Sequence, residues 1–449
     1  MNIEVHIDWQ QRTILAGRLY PADQSAAVTF EYDREWLARP GAFALDPSAL
    51  PLRAGQYHAP ALFGAMQDCG PDRWGRVLIE RAVRKRVLEA KPYRDLDYVL
   101  ALEDFSRIGA LRFRRVGGGN FLAEGDGRLP PVLRLGALVA AADAIHHQTE
   151  SAQDLRFLLG VGSPLGGARP KSAIVLPDLA LAIAKFPKPD DTRDIAGGEI
   201  LALTLARAAG ITTAGHQLVK AAGRHVAVIT RFDRAGAERV PFVSASTLLS
   251  LAPGVAGSYI QLADGIRQHG HDVSGDLREL WRRMVFSLLV SNHDDHMRNH
   301  GFLLRAPGKW ALSPAYDLNP VPAIDRVTLA QTAIENSGAA PSIEGALAAA
   351  PHFDLERKAA KTILREVIQA ISGWRKAGER LRLGRGTLAA YATAFDHPLM
   401  SEAQAVGAHK IAAQASVKAT AVARKQPGLL AAARAPTRTF SRPRRGISP

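Results

Sequence analysis

Residues 180–211 read ALAIAKFPKPDDTRDIAGGEILALTLARAAGI, and the elements they encode decide the fold. Residues 180–187 are apolar apart from Lys185 near their end, which is typical of a buried strand. Residues 197–211 begin with two glycines, carry apolar residues at helical spacing and close at Gly210, as helices commonly do. The segment therefore predicts a strand that ends at a lysine and a helix that presents Glu199 fourteen residues further along the chain.

The flanking sequence extends this pair into a strand–strand–helix–strand–strand unit. Its other parts are a glycine-rich turn, GVGSPLGGARPKS (160–172), and the strands AIVL (173–176), HQLVK (216–220) and HVAVITRF (225–232). Before this unit, alternating segments and turn signals predict a β-rich region with strands at 3–7, 27–32 and 109–113 and a helix at 74–88. From about 236 the pattern is helical, with a helix at 276–290, short strands at 301–305 and 309–314, and helices between 353 and 395.

The composition excludes several classes of protein. Apolar residues make up 47% of the 449, which is typical of globular chains of about two or three domains. The sequence contains no run of about 18 apolar residues, so we do not expect a membrane span. A single cysteine, Cys69, excludes a disulfide framework and a cysteine-based zinc site. The first residues, MNIEVHIDWQQ, lack the order of a secretory signal, so we expect a cytoplasmic protein.

The net charge of +14 is concentrated at the end of the chain. Residues 401–449 carry nine Lys and Arg against one acid, Glu402, in a stretch rich in Ala, Pro and Ser. This composition predicts a disordered, solvated tail that contacts phosphates only non-specifically. Since less than half of the excess charge lies elsewhere, charge alone does not indicate a nucleic-acid-binding protein.

Residues 291–304, SNHDDHMRNHGFLL, follow the helix at 276–290 and form a polar loop on a buried scaffold, a common place for catalytic groups. The loop has three readings. His293 and Asp294 are similar to the pair of a metal-dependent phosphohydrolase, although no helical HExxH motif adds further ligands. The loop also fits a polar helix cap whose histidines bond to backbone. The third reading is phosphoryl transfer.

Phosphoryl transfer depends on positioning and charge neutralisation, and the sequence offers each group it needs. Asp294 can orient an attacking hydroxyl, and Asn299 and Asp317 supply the oxygen ligands that Mg²⁺ prefers. Lys185 can bind phosphates, with Glu199 to hold the lysine in place. None of these roles requires a cysteine or a pair of histidines.

Several motifs carry a resemblance that spans residues from near 10 to near 400. The chain resembles the HipA-type serine/threonine protein kinases, the toxin halves of bacterial toxin–antitoxin pairs. The motifs are MQDCGPDRWGRVLIER (66–81), DYVLALEDFSRIGALRF (97–113), GGARPKSAI (166–174), AKFP (184–187), GGEILALTLARAAGI (197–211), ITRFDR (229–234), NHDDHMRNH (292–300) and SPAYDLNP (313–320).

The resemblance implies an α+β fold: a two-lobed protein-kinase-like core with an N-terminal β-rich subdomain and a mainly helical C-terminal lobe. We assign the β-rich subdomain to 1–118, a nucleotide-binding N-lobe with the glycine-rich loop to 119–235, the helical catalytic C-lobe to 236–400 and the tail to 401–449.

The spacing N-x-D-x-H-x-x-N of the family's catalytic loop is filled by Asn292, Asp294, His296 and Asn299. The resemblance implies that Asp294 accepts or orients the proton of the substrate hydroxyl. It implies that Asn299 and Asp317 bind Mg²⁺ and that His296 supports the loop through hydrogen bonds. The neighbouring His293 and Asp295 are expected in solvent or in a supporting position.

The resemblance also implies an ATP site. Its phosphate-covering loop includes Gly166, Gly167, Ala168, Arg169 and Lys171, where glycine lets backbone N–H groups approach an anion. Lys185 pairs with the α- and β-phosphates and Glu199 pairs with Lys185. A hinge of Thr230, Arg231 and Phe232 faces adenine, and the threonine stands where the family often has an acid, which leaves adenine contacts to backbone groups. Ser163 lies in the loop where the family carries an autophosphorylated serine.

The expected activity is therefore an ATP- and Mg²⁺-dependent serine/threonine kinase that inhibits growth and is neutralised by a DNA-binding antitoxin. The family's targets suggest an aminoacyl-tRNA synthetase as substrate. Two rivals remain: a kinase-fold protein that binds nucleotide without transfer, and a metal-dependent phosphohydrolase that depends on His293.

Overall fold

The computed structural model describes residues 2–123, 129–159, 169–236, 238–252, 254–326, 332–335 and 340–407. By their contacts the residues divide into two units, Met1–Ala403 and Gln404–Pro449, and only 404–407 of the second are described. Most of the predicted tail thus lies outside the described residues. The first unit extends to Ala403, which is fully buried, a few residues beyond the assigned end of the C-lobe.

The N-terminal domain is built on an antiparallel sheet with the strand order β4-β3-β2-β1-β5. The strands are β1 (Ile3–Trp9), β2 (Arg12–Pro21), β3 (Val28–Tyr32), β4 (Gln56–Ala59) and β5 (Leu111–Arg115). The helices are α1 (Arg34–Ala38), α2 (Gly64–Gln67), α3 (Arg73–Arg84) and α4 (Asp95–Ala101). Strand β1 lies between β2 and β5, and all of its residues 3–7 are buried, with the apolar Ile3, Val5 and Ile7 on one face of the sheet.

The strand predicted at 109–113 begins two residues later. Gly109 has a φ of +70°, in the left-handed region that favours glycine, and its N–H donates to Asp233 Oδ2 at 2.8 Å. The chain therefore turns at Gly109 before it joins the sheet at Leu111.

The N-lobe contains the predicted strand–strand–helix–strand–strand unit. Its antiparallel sheet has the order β6-β7-β9-β8. The strands are β6 (Lys171–Val175), β7 (Leu181–Lys185), β8 (His216–Ala221) and β9 (Arg224–Thr230), and the helices are α5 (Leu135–His147), α6 (Ala152–Leu159) and α7 (Ile195–Ala208). Helix α7 begins where Asp194 accepts a hydrogen bond from Gly197 N at 2.8 Å, which is a standard N-cap.

The C-lobe is mainly helical, but it does not turn helical directly at 236 as predicted. Strand β10 (Arg234–Ala235) ends just before this position, and two more short strands follow it, β11 (Glu238–Arg239) and β12 (Phe242–Ser244). Strand β12 pairs with β13 (Gly301–Ala306), which pairs with β14 (Lys309–Leu312). The helices are α8 (Ala245–Leu248), α9 (Tyr259–His269), α10 (Val273–Leu289), α11 (Ile343–Ala348), α12 (Arg357–Ser372), α13 (Trp374–Arg380) and α14 (Arg385–Phe395).

Helix α10 is the scaffold of the loop at 291–304. Its predicted inner face is confirmed, since Leu277, Trp281 and Met284 are fully buried. The fold class is confirmed as well: a β-rich N-terminal region precedes a two-lobed core with a helical C-lobe. Among the described residues, no helix combines the length and the apolar character needed to cross a bilayer.

The N-terminal domain is bonded to both lobes of the core. Toward the C-lobe, the buried carboxylate of Asp68 accepts from Ser244 N at 2.7 Å and from Thr247 Oγ1 at 2.7 Å. Toward the N-lobe, Asp72 Oδ2 pairs with Lys171 Nζ at 2.5 Å. These two aspartates lie four residues apart, so one short segment joins the two lobes.

Candidate active site

Lys185 is the centre of the site. It ends β7, and its Nζ donates to Glu199 Oε1 on α7 and to Asp317 Oδ1 on the C-lobe, each at 2.6 Å. The Lys185 side chain is 16% exposed and that of Glu199 only 3%, so the cluster is shielded from water. Residues separated by up to 132 positions therefore meet between the lobes, as the sequence predicted.

The electrostatics of this cluster keep Asp317 ionised. Burial alone would raise the pKa of Asp317, but the charges of Lys185 and Lys171, with hydrogen bonds from Lys185 and Asn319, together outweigh burial and hold this pKa at about 2. Burial raises the pKa of Glu199; Lys185 opposes that shift and Asp317 adds to it. The pKa of Lys185 is raised because its two acids overcome the effect of burial, so the lysine stays charged. The cluster thus offers one cation and one permanently ionised carboxylate.

The predicted catalytic loop begins where α10 ends. Asp294 is an exposed residue, and its pKa is raised by burial of part of the carboxyl and then by the Asp317 carboxylate. Asn299 Nδ2 donates to Asp294 O at 2.9 Å, which fixes the backbone beneath the aspartate. The chain forms a single 3₁₀ turn over Met297–Asn299, with Asn299 N donating to His296 O at 2.7 Å.

Asp295, which was expected in solvent or in a supporting position, holds this loop in place. Asp295 is 4% exposed; Tyr259 donates its hydroxyl to Asp295 Oδ2, and His300 Nε2 lies 2.9 Å from Asp295 Oδ1. His296 Nδ1, in contrast, is buried without a hydrogen-bond partner among the described residues. The side-chain hydrogen bonds that hold the loop are therefore made by Asp295, and no signal in the sequence pointed to its burial.

Asp317 sits in a strained backbone conformation next to this loop. Its φ of +57° lies in the left-handed region, which is uncommon for residues other than glycine and often marks functional sites. Asn319 Nδ2 donates to Asp317 Oδ1 at 3.1 Å, and Asn319 N donates to Asn292 Oδ1 at 3.1 Å. Asn292 thereby ties the catalytic loop to the Asp317 segment.

The oxygen atoms at this point fit a hard divalent cation. Asn299 Oδ1 is buried and has no hydrogen-bond partner among the described residues, and Asp317 is ionised at neutral pH. Amide and carboxylate oxygens are the ligands that Mg²⁺ favours, with phosphate and water completing the shell. The described residues include no group of three or more His, Cys, Asp or Glu arranged to hold a metal, so the fit rests on Asn299 and Asp317.

The phosphate-covering loop is only partly visible. Gly166, Gly167, Ala168 and the nearby Ser163 lie outside the described residues. Arg169 is described and forms an ion pair with Asp191. Lys171 is directly opposite Lys185 in the β6–β7 pairing, so the two side chains lie on one face of the sheet.

The hinge residues line a narrow cavity between the lobes. Its walls are formed by Lys171, Ile183, Lys185, Ile229, Thr230, Arg231, Phe232, Tyr316 and Asp317. The rings of Phe232 and Tyr316 lie 5.3 Å apart and give the cavity an aromatic wall. The backbone N–H groups of Thr230 and Arg231 donate to Gly215 O and Leu181 O.

Arg231 turns its guanidinium away from the cavity and towards the N-terminal domain. It donates to Asp233 Oδ1 at 2.8 Å and to Arg107 O at 3.1 Å, and its side chain is fully buried. What the hinge offers to a base is therefore its apolar and aromatic surface rather than the arginine.

Together, the two lobes, the cleft and the Lys185–Glu199–Asp317 cluster define a protein-kinase-like core. Comparison with known proteins then places the chain in one family. The model of the HipA N-terminal domain matches residues 8–114, and that of the HipA-like C-terminal domain matches residues 163–374. The two models together cover most of the sequence, so the chain belongs to the HipA family.

Individual relatives are distant. A Haemophilus influenzae protein named "Putative kinase" is 27% identical over 193 residues, which is 37% of this chain. The match spans 56% of that protein, so the chain covers little more than half the length of this curated relative.

Among solved structures, HipA of Shewanella oneidensis MR-1, determined with HipB and operator DNA, has a TM-score of 0.62 at 16% identity. That likeness covers 91% of this chain and 97% of the other, and it establishes the fold. The Helicobacter pylori proinflammatory kinase CtkA matches weakly, with a TM-score of 0.36 at 14% identity over 53% of this chain and 94% of the other.

Proposed function

We propose that the protein is an ATP- and Mg²⁺-dependent serine/threonine protein kinase. One observation carries the proposal: Lys185 lies 2.6 Å from both Glu199 and Asp317 where the two lobes meet, and Asp294 is near enough to Asp317 for that carboxylate to raise its pKa. Kinases need this lysine–acid pair and a metal-binding aspartate in place together. The cavity at Phe232 and Tyr316 has the apolar walls that a purine base requires.

Each group has a defined task in this proposal. Lys185 binds the α- and β-phosphates, and Glu199 holds the ammonium in position. Asn299 and Asp317 hold Mg²⁺, which when bound neutralises charge on the phosphates. Asp294 orients the hydroxyl of the acceptor; its raised pKa makes it a better proton acceptor than an ordinary aspartate. Asn292 and Asp295 keep the loop and the Asp317 segment in register.

The proposed biological role is that of a growth-inhibiting toxin in the cytoplasm, neutralised by a DNA-binding antitoxin. Membership of the HipA family supports this role, and the Shewanella relative was solved together with HipB and operator DNA. The proposed acceptor is a protein of translation such as an aminoacyl-tRNA synthetase.

Radiolabelled ATP tests the proposal directly. Purified wild type and Asp294→Ala are incubated with a lysate of heat-treated cells and Mg²⁺, and labelled proteins are separated and identified. Wild type should label Ser or Thr of an acceptor, and Asp294→Ala should lose roughly 10²-fold or more of that rate, the range for a lost general base.

Equal labelling by both proteins would remove Asp294 from its role. Release of free phosphate without any labelled protein, dependent on His293 and not on Lys185, would favour a phosphohydrolase instead.

A further inference from the structure

One carboxylate of the N-terminal domain, that of Asp72, reaches the nucleotide site. Asp72 caps α3, with Oδ1 accepting from Gly75 N at 2.8 Å, while Oδ2 pairs with Lys171 Nζ at 2.5 Å. Both side chains are buried, at 1% and 2% exposure. The cap fixes the carboxylate, so the helix start determines where the lysine ammonium lies.

Helix α3 holds the backbone of Lys171 as well. Trp74 Nε1 donates to Lys171 O at 3.1 Å. Trp74 and Leu78 also belong to the same buried apolar cluster as Ala173 and Ala184 of the N-lobe sheet. The pairing is therefore part of a packed interface between the two domains rather than a contact at the surface.

Lys171 lies beside the catalytic cluster. It is opposite Lys185 on the same face of the sheet, and both line the cavity together with Asp317. A flexible lysine stem that lines this cavity beside Asp317 would pair with the acids of the cluster if no nearer acid held it. Such pairing would compete with Lys185 and cover the metal-binding carboxylate.

We infer that Asp72 is a positioning residue of the nucleotide site, which holds the Lys171 ammonium against the phosphates of a nucleoside triphosphate and away from Glu199 and Asp317. The site is then built from two domains, with its second phosphate-binding cation anchored by the N-terminal one. This inference rests on the proposed function, since it assumes that the cleft binds ATP.

The test measures affinity in full-length protein. Binding of the non-hydrolysable analogue AMP-PNP with Mg²⁺ is measured by titration calorimetry for wild type, Asp72→Asn, Lys171→Met and the double variant. Asp72→Asn should bind roughly tenfold more weakly, the scale of one charge-assisted contact. Because Asp72 acts through Lys171, the double variant should bind no more weakly than Lys171→Met alone.

Melting temperatures separate positioning from folding. Asp72→Asn leaves a buried cation without its acid and should melt lower, whereas the double variant removes both charges and should recover much of the loss. Affinity should stay low in the double variant although its stability returns. Asp95→Asn is the matched control, because Asp95 pairs with Arg76 of the same helix α3 in a largely exposed bridge; its affinity should equal that of wild type.

Two results overturn the inference. The first is that folded Asp72→Asn binds AMP-PNP with the affinity of wild type. The second is that the double variant binds AMP-PNP more weakly than Lys171→Met does, by the same factor that separates Asp72→Asn from wild type. If Asp72→Asn does not fold, the double variant and Lys171→Met decide alone. Wild type that binds no AMP-PNP would remove the proposed function and this inference together. Wild type that binds the analogue but transfers no phosphate from ATP would remove only the transfer, and the affinities would still judge Asp72.

Discussion

Lys185 and Lys171 lie side by side on one face of the same sheet, yet they draw their counter-ions from different parts of the chain. Lys185 is held by Glu199 and Asp317, both from the kinase-like core. Lys171 is held by Asp72, from the N-terminal domain. The core thus contains the charges that the proposed chemistry requires, and the added domain supplies the partner of the neighbouring lysine. The comparison separates the groups expected to affect turnover from those expected to affect nucleotide affinity.

The largest effect is expected at the first lysine. Lys185→Met removes the cation shared by two buried acids, so phosphate transfer should fall on the order of 10³-fold, as when a preorganised charge is lost from an active site. Steady-state kinetics with labelled ATP measures this loss. Lys220→Met, at an exposed lysine of β8, is the control and should retain full activity. Retention of more than a tenth of the activity by Lys185→Met would erase the distinction between the two lysines.

The pH dependence of stability tests how strongly Lys185 is paired with Asp317. The folded pKa of Asp317 is about 2, below its ordinary value of 3.8, so its stabilising contribution is complete above about pH 4 and is lost as the pH falls to about 2. A shift of this size corresponds to about 2 kcal/mol. In thermal melts between pH 5 and pH 2, the melting temperature of wild type should fall more steeply than that of Asp317→Asn. Parallel curves would show that Lys185 does not stabilise the Asp317 carboxylate.

A smaller effect is expected where α7, which carries Glu199, meets α14. A Cβ at Gly198 would lie 2.2 Å from the Tyr391 hydroxyl oxygen, so Gly198→Ala must displace the helix or the ring. We expect a loss of roughly 1–2 kcal/mol of stability and a several-fold lower rate of transfer, because Glu199 moves relative to Lys185. Chemical denaturation and the labelled-ATP assay measure both.

The matched control for this change is Gly136→Ala in α5. No atom lies within 4 Å of a Cβ built at Gly136, so alanine there should stabilise the protein by about 0.5–1 kcal/mol. If both alanines had the same effect, close packing of Tyr391 against α7 would not be what positions Glu199.

The sequence predicted the main elements because their periodicity is strong. The strand at 180–187 and the helix at 197–211 appear as β7 and α7, and the helix at 276–290 appears as α10. The short strands β11 and β12 were missed, because a few residues show no period and pairing decides their structure: β11 pairs with β10, and β12 pairs with β13.

At the site, the resemblance to the family predicted that Lys185, Glu199 and Asp317 lie close together. The roles assigned to them, and to Asp294 and Asn299, stay predictions. The pairing of Asp72 with Lys171 could not be predicted, since it joins residues 99 positions apart through the packing of two domains. The burial of Asp295 was hidden for a similar reason: Asp295 lies in a loop, and Tyr259, which donates to it, lies 36 positions earlier on helix α9.

The segment that contains Asp68 and Asp72 also bears on how ATP would enter. Besides the direct contacts between the lobes, such as that of Lys185 with Asp317, this segment adds a connection, because it is bonded to Ser244 on one side and to Lys171 on the other. Opening of the cleft would have to stretch or break one of these bonds. We therefore expect the rate of nucleotide exchange to depend on the N-terminal domain as well as on the core.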